Sequence, residues 1–150
     1  MPTSAKNSSI VDAASPAAGD EIRVPVRSDN DLVNARHEGR RLAESLGFSS
    51  SETTLVATAI SELARNIVNY AGCGEIVLRR VDHHARRGIT VIARDEGPGI
   101  ANVKLAMQEG YSTSGGLGLG LPGVRRIMDE FQIETEPGRG TTVTVSKWRQ

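Results

Sequence analysis

Ser51-Glu-Thr-Thr-Leu-Val-Ala-Thr-Ala-Ile-Ser-Glu-Leu-Ala-Arg-Asn-Ile-Val-Asn-Tyr70 is the stretch that decides the fold of this chain. Its apolar residues recur as Leu55-Val56, Ala59-Ile60, Leu63-Ala64 and Ile67-Val68, pairs spaced by four that form the buried stripe of a helix. Glu62, Arg65, Asn66 and Asn69 fall beside that stripe. Glu62 and Asn66 are four apart, so they lie one turn apart on the same face and can address one ligand.

Upstream, Ile22-Arg-Val-Pro-Val-Arg27 alternates apolar and polar residues, and Pro25 within it favours an edge strand. Ser28 or Asp29 can cap a helix running to about Leu46, with Gly47 as its stop signal. Residues 1–20 are rich in Ser, Ala and Pro without usable periodicity and read as a disordered arm, which leaves 21–150 as one domain. Downstream, Glu75 to Val81 and Ile89 to Arg94 read as an antiparallel hairpin joined by a polar loop from His83 to Gly88. A short helix is expected over Val103 to Glu109, then a mobile Ser/Thr/Gly segment from Gly110 to Gly116. Pro122 suits the first turn of a further helix. Phe131 to Thr135 and Thr141 to Trp148 flank Pro137-Gly-Arg-Gly140 as a closing hairpin.

The chain has 150 residues, enough for one domain with a real core. Its 18 basic residues balance 18 acidic ones and come as scattered pairs, so non-specific nucleic-acid or membrane binding is not indicated. Two Phe, two Tyr and one Trp give little material for a base-stacking platform. No apolar run approaches a membrane span, and the first residues lack the hydrophobic segment of a secretory signal. The one cysteine, Cys73, excludes an internal disulfide and suits a reducing compartment, so a cytoplasmic location is expected. His83 and His84 lack a second ligand pair for a metal.

Two further motifs accompany the helix. Asp95-Glu-Gly-Pro-Gly99 ends the second strand of the first hairpin, and its Gly-Pro-Gly forbids continuation of strand or helix. Asp95 there reads either as a turn-forming aspartate or as a ligand group. Gly115-Gly-Leu-Gly-Leu-Gly120 reads as a flexible linker or as a phosphate cradle, since backbone amides approach an anion closely where side chains are absent and a helix start follows. Gly118-Leu-Gly120-Leu-Pro-Gly123 also satisfies the dinucleotide pattern G-x-G-x-x-G, with Glu136 near the distance of a ribose-binding acid. Tyr111-Ser-Thr-Ser-Gly-Gly is a poor strand to precede it, however, and too little chain follows. A Walker loop is absent.

An Asn amide oxygen is a hard donor suited to magnesium, which binds through one or two protein groups plus phosphates and water, so Asn66 is the candidate metal ligand. A carboxylate one turn earlier is placed to orient and deprotonate an incoming hydroxyl, which makes Glu62 the candidate catalytic base. Arg65 forms either an exposed ion pair with Glu62 or a contact to transferred charge. Asn69 could line the same nucleotide.

The order and separation of Glu62-Leu-Ala-Arg-Asn66, Asp95-Glu-Gly-Pro-Gly99 and Gly115 to Gly120 resemble the N, G1 and G2 boxes of the GHKL superfamily. These are the ATP-binding domains shared by histidine kinases, gyrase, Hsp90, MutL and bacterial anti-sigma-factor kinases. The resemblance runs from about Glu21 to the end of the chain. It implies a two-layer α/β sandwich of the GHKL (Bergerat) type, a mixed and mostly antiparallel sheet with helices on one face. It implies ATP and Mg2+ as cofactors. ATP would be bound by Asn66, Asn69, Asp95, Gly97, Gly99, Ile100, Thr113, Ser114, Gly115, Gly116, Leu117, Gly118, Leu119, Gly120 and Thr141. In that superfamily the aspartate matching Asp95 accepts from the adenine amine. Thr141 matches a threonine that helps hold the aspartate and an ordered water; its other reading is a plain β-branched strand residue.

No large transducer domain and no helical segment with a phosphorylatable histidine accompanies these boxes, which leaves the stand-alone switch kinases. Ser61-Glu-Leu-Ala-Arg-Asn66, Ala106-Met-Gln-Glu-Gly-Tyr111-Ser-Thr-Ser-Gly-Gly, Gly118-Leu-Gly-Leu-Pro-Gly-Val and Lys147-Trp148 look like the RsbT-type serine/threonine kinases. That resemblance implies phosphorylation of a STAS-domain antagonist in a stressosome-like partner-switching pathway and, after release, activation of a PP2C-type phosphatase. Kinases of the RsbW and SpoIIAB type share the boxes and bind a sigma factor instead. A nucleotide-gated binding module without essential catalysis is the alternative from another class.

Overall fold

The computed structural model describes residues 21–100, Met107 and residues 120–150. The expected arm over 1–20, the helix over Val103 to Glu109 and the segment Gly110 to Gly116 lie outside these, Met107 apart. The elements run β1 (Glu21–Val26), α1 (Asp29–Ser45), α2 (Ser50–Asn66), a π-helical turn (Ile67–Ala71), β2 (Gly74–His83), β3 (Arg86–Asp95), α3 (Gly120–Ile127), β4 (Glu130–Glu136) and β5 (Gly140–Trp148).

Five strands form one sheet in the order β1-β2-β3-β5-β4. Each of its four pairings is antiparallel, which refines the mostly antiparallel sheet expected. β1 is an edge strand, as Pro25 requires, with Pro25 opposite Glu75. The register sets Val24, Ile76, Ala93, Val143 and Ile133 in one row, and Ile22, Leu78, Val91, Val145 and Phe131 in the next. Because successive residues of a strand point to opposite faces, these rows share one face. Their buried members join one core with Leu32, Ala35 and Ala43 of α1, Val56, Ile60 and Leu63 of α2, Ile67 of the π turn, and Leu121 and Val124 of α3. Burying each large aliphatic side chain contributes about 1.5–3 kcal/mol. The other face alternates Val77 and Ile92 with ion pairs such as Arg79–Glu21 at 3.0 Å and Arg94–Glu75 at 3.0 Å.

Helices α1 and α2 meet closely at Gly39, where a Cβ would run into the Ile60 side chain. Ser28 caps α1, and Gly47 follows its end at φ 86°. Two expectations are corrected. The first hairpin has no loop from His83 to Gly88: its strands extend to His83 and Arg86, leaving the two-residue turn His84-Ala85. Only His84 has positive φ there, at 57°, a polar residue standing where glycine is favoured. The long helix over 51–70 also does not stay α-helical, because it widens into the π turn directly after Asn66.

Candidate functional site

Glu62 faces inward from the last turns of α2 and is only 7% exposed. Its Oε2 accepts from Arg65 Nη1 at 2.7 Å, and its Oε1 accepts from the Gly120 N–H at 3.3 Å. Gly120, at φ 67°, begins α3, so the carboxylate ties the end of α2 to the start of the following helix. The Arg65 ion pair is real but half-buried rather than exposed, with side-chain exposures of 38% and 10% for Arg65 and Glu62.

Asn66 closes α2 and is half-buried; Asn69, inside the π turn, is exposed. The turn is fixed by the Gly72 N–H donating to Ile67 O at 2.8 Å, a five-residue span. π turns inserted in α-helices are frequent at functional sites because they shift the faces that follow. Here the shift brings Ala71 against the loop after β3: a Cβ on Gly97 would lie 2.5 Å from the Ala71 Cβ. Gly74, opposite Asp95 in the sheet, leaves room for Ile67 in the same way.

Asp95 ends β3, and its Oδ1 accepts from the Gly97 N–H at 2.9 Å, turning the chain. Gly99, at φ 78°, passes so close to the Glu136 carbonyl that no side chain fits. The Gly138 N–H donates to Pro98 O at 2.7 Å, fastening this loop to the turn between β4 and β5. Thr141 is the cross-strand partner of Asp95. Thr141 is a strand residue and stands directly opposite the aspartate in the register.

Thr135 was not singled out in the sequence, yet it gathers this end of the sheet. Its Oγ1 accepts from the Ile100 N–H at 2.8 Å, donates to Gly140 O at 3.1 Å and lies 2.9 Å from Thr141 Oγ1. The alternation of β4 places it inward after Phe131 and Ile133, and a threonine beside the hairpin turn facing Thr141 was the signal available.

The structure thus gathers Glu62 and Gly120 where α2 meets the start of α3, with Asn66 one turn on, and Asp95, Gly97, Gly99, Ile100 and Thr141 at one end of the sheet, where the π turn packs against Gly97. Thr113, Ser114, Gly115, Gly116, Leu117, Gly118 and Leu119 lie outside the described residues. Among the described residues no group of three or more His, Cys, Asp or Glu could hold a metal. A cation here would depend on the Asn66 amide oxygen together with ligand phosphates, a donor set that fits magnesium rather than a transition metal. No described helix is long and apolar enough to cross a membrane.

An antiparallel sheet backed by helices, with a Glu and an Asn one turn apart on a helix whose π-turn extension packs on an Asp-Glu-Gly-Pro-Gly loop, is the frame of a nucleotide-binding ATPase domain. The chain belongs to the histidine kinase-, DNA gyrase B-, and HSP90-like ATPase family (HATPase_c), whose model matches residues 51–150. The serine/threonine-protein kinase RsbT of Bacillus subtilis (strain 168) is 46% identical to it over 129 residues, 86% of this chain and 97% of that protein. An anti-sigma F factor of Caldanaerobacter subterraneus subsp. tengcongensis is 31% identical over 134 residues, 85% of this chain and 92% of that protein.

Among solved structures, the RsbU and RsbW domains of a Mycobacterium tuberculosis protein superpose with a TM-score of 0.58 at 19% identity, covering 86% of this chain and 32% of that one. The SiaB–SiaC complex from Pseudomonas aeruginosa gives 0.53 at 14% identity, covering 96% of both chains. At those identities the likeness is one of fold. The chain is an ATP-dependent protein serine/threonine kinase.

Proposed function

We propose that this kinase transfers the γ-phosphate of ATP to a serine or threonine of a STAS-domain antagonist in a cytoplasmic partner-switching pathway and, once released from it, activates a PP2C-type phosphatase. The observation that carries this reading is the 46% identity to an RsbT kinase across 97% of that protein's length. Residues 21–150 form the kinase domain in this reading, and 1–20 an arm outside it.

In this reading each site residue takes one role. Glu62 is the base: its carboxylate takes the proton of the acceptor hydroxyl, and Arg65 at 2.7 Å keeps it aimed. Asn66, one turn on, offers its amide oxygen to Mg2+, which when bound neutralises phosphate charge. Asp95 receives the adenine amine while Gly97 and Gly99 let the backbone fold close beneath the base. Asn69, Ile100 and Thr141 line the same space, and residues 113–120 supply amides to the phosphates. The Gly120 N–H donates to Glu62, which supports its place among them.

Intact-mass analysis of STAS-domain proteins from the same genome, incubated with Mg-ATP and the kinase, tests the substrate. One added phosphate on one candidate, absent with Asn66→Ala, is the expected result. Glu62→Ala should keep ATP binding and lower transfer by about 10²–10⁴-fold; undiminished transfer in that variant would remove Glu62 from the mechanism.

Two observations keep other readings in view. The 31% identity to an anti-sigma F factor favours a sigma factor as the captured partner, which a pull-down with purified sigma factors decides. The engagement of both Glu62 oxygens favours a nucleotide-gated binding module. Under that reading Glu62→Ala would switch partners as fully as the parent chain.

A further inference from the structure

The Thr135 hydroxyl has more contacts than protons, and that imbalance fixes the direction of its neighbours. Oγ1 lies 2.8 Å from the Ile100 nitrogen, 3.1 Å from the Gly140 carbonyl oxygen and 2.9 Å from Thr141 Oγ1. A hydroxyl offers one proton and two lone pairs. The amide can only donate and the carbonyl can only accept. All three contacts are hydrogen bonds in one arrangement alone: Thr135 accepts from Ile100, gives its proton to Gly140 O and accepts from Thr141. The Thr141 proton is thereby committed, and Thr141 turns only lone pairs outward.

Its cross-strand partner Asp95 is an acceptor too, with Oδ1 already taking the Gly97 N–H. Directly opposed residues of an antiparallel pair have Cβ atoms roughly 5 Å apart. Two acceptors at that spacing disfavour a third acceptor between them and favour a group carrying two hydrogens. A primary amine meets that demand; a keto oxygen does not.

We propose that Thr135 is a positioning residue that locks Thr141 as an acceptor-only group, so that the site separates a 6-amino purine nucleotide from its 6-keto counterpart. The inference rests on the reading of Asp95 and Thr141 as the base-recognition pair. Removing the Thr135 hydroxyl frees the Thr141 proton, which can then rotate toward a keto oxygen.

The experiment measures Kd for ATP and for ITP, by competition against a ribose-labelled fluorescent ATP, on the full chain and on four variants. In Thr135→Val the ITP-to-ATP ratio of Kd should fall about fivefold to tenfold, the value of one hydrogen bond. Thr135→Ala removes the same hydroxyl and should give the same fall, so either variant suffices if the other fails to fold. Thr135→Ser should keep the parent ratio within about twofold. A loss of packing alone would weaken both nucleotides together and leave the ratio unmoved; that result in the Val and Ala variants overturns the proposal. Asp95→Asn separates the two failures. If its ratio also stays at the parent value, the base-recognition reading falls with the proposal; if its ratio collapses while the Thr135 variants hold theirs, only the role of Thr135 falls.

Discussion

The two ends of helix α2 are built on opposite plans. At its start Ser49 and Glu52 cap each other: Ser49 Oγ accepts from the Glu52 N–H at 3.1 Å, Glu52 Oε1 accepts from the Ser49 N–H at 3.0 Å, and Glu52 Oε2 accepts from the Gln150 N–H at 3.0 Å. Such a capping box satisfies amides that the helix itself leaves open. At its far end the α-helical ladder is given up for a π turn, and Asn69 and Tyr70 within it are exposed. The contrast shows one helix anchored for stability at the end remote from Asp95 and deformed for positioning at the end beside it.

Deleting Val68, which lets Ile67–Ala71 rewind as an α turn, attacks the deformed end and should have the largest effect. Ala71 would leave Gly97, and ATP-dependent transfer should fall about a hundredfold, the scale of a displacement near 1 Å. The melting temperature should move by no more than about 4 °C. A thermally stable deletion variant with parental transfer would show that the π turn does not serve the site.

Glu52→Ala attacks the anchored end, with the opposite signature: stability lowered by about 1–2 kcal/mol in urea unfolding and transfer unchanged. Loss of transfer in a folded Glu52→Ala chain would erase the distinction between the ends.

The smallest effect is a pH dependence. Burial works to raise the Glu52 carboxyl, but the Ser49 and Gln150 amides, the Ser49 hydroxyl and the Lys147 charge together hold it below the ordinary carboxylate range. A carboxyl depressed in the folded state adds stability that is fully present above the unfolded value and is lost as the pH falls through the folded one. The stability gap between the parent chain and Glu52→Gln should therefore be constant near neutrality and narrow as the pH falls below the ordinary carboxylate range. A gap that widens with acid would reverse the assignment.

This contrast also marks what could be read from the sequence. The apolar pairs from Leu55 to Val68 announced a helix because periodicity is carried by burial, and the strands alternated for the same reason. Ser49 and Glu52 carry a capping pattern three residues apart that a reading starting at Ser51 passes over, and the structure shows the box formed. The π turn left no such mark. A stripe repeating every four residues overshoots an α turn by about 40° each time, and how the chain absorbs that drift is settled by what packs alongside. Here Ile67 lies by Gly74, and Ala71 by Gly97, partners remote in sequence.

The candidate site divides the same way. Glu62, Asn66 and Asp95 stood out by residue type and spacing. Thr135 did not, because its importance comes from hydrogen bonds to Ile100 and Gly140 that exist only once two loops are folded together. The length of the first hairpin was misjudged because a polar His-His-Ala-Arg-Arg run looks like loop, whereas His84 and Ala85 alone make the turn.

The position of Trp148 has a spectroscopic consequence. The chain has one tryptophan. It is 8% exposed, donates from Nε1 to Glu130 at 3.1 Å, and lies under the Arg86 guanidinium at 4.9 Å from the ring centroid. It pairs with Gly88 across the sheet, seven residues along β3 from Asp95, roughly 24 Å away. Its emission will therefore follow the melting of β5 against β3 and stay silent while nucleotide comes and goes, a built-in channel for stability that leaves the ligand signal to an added dye.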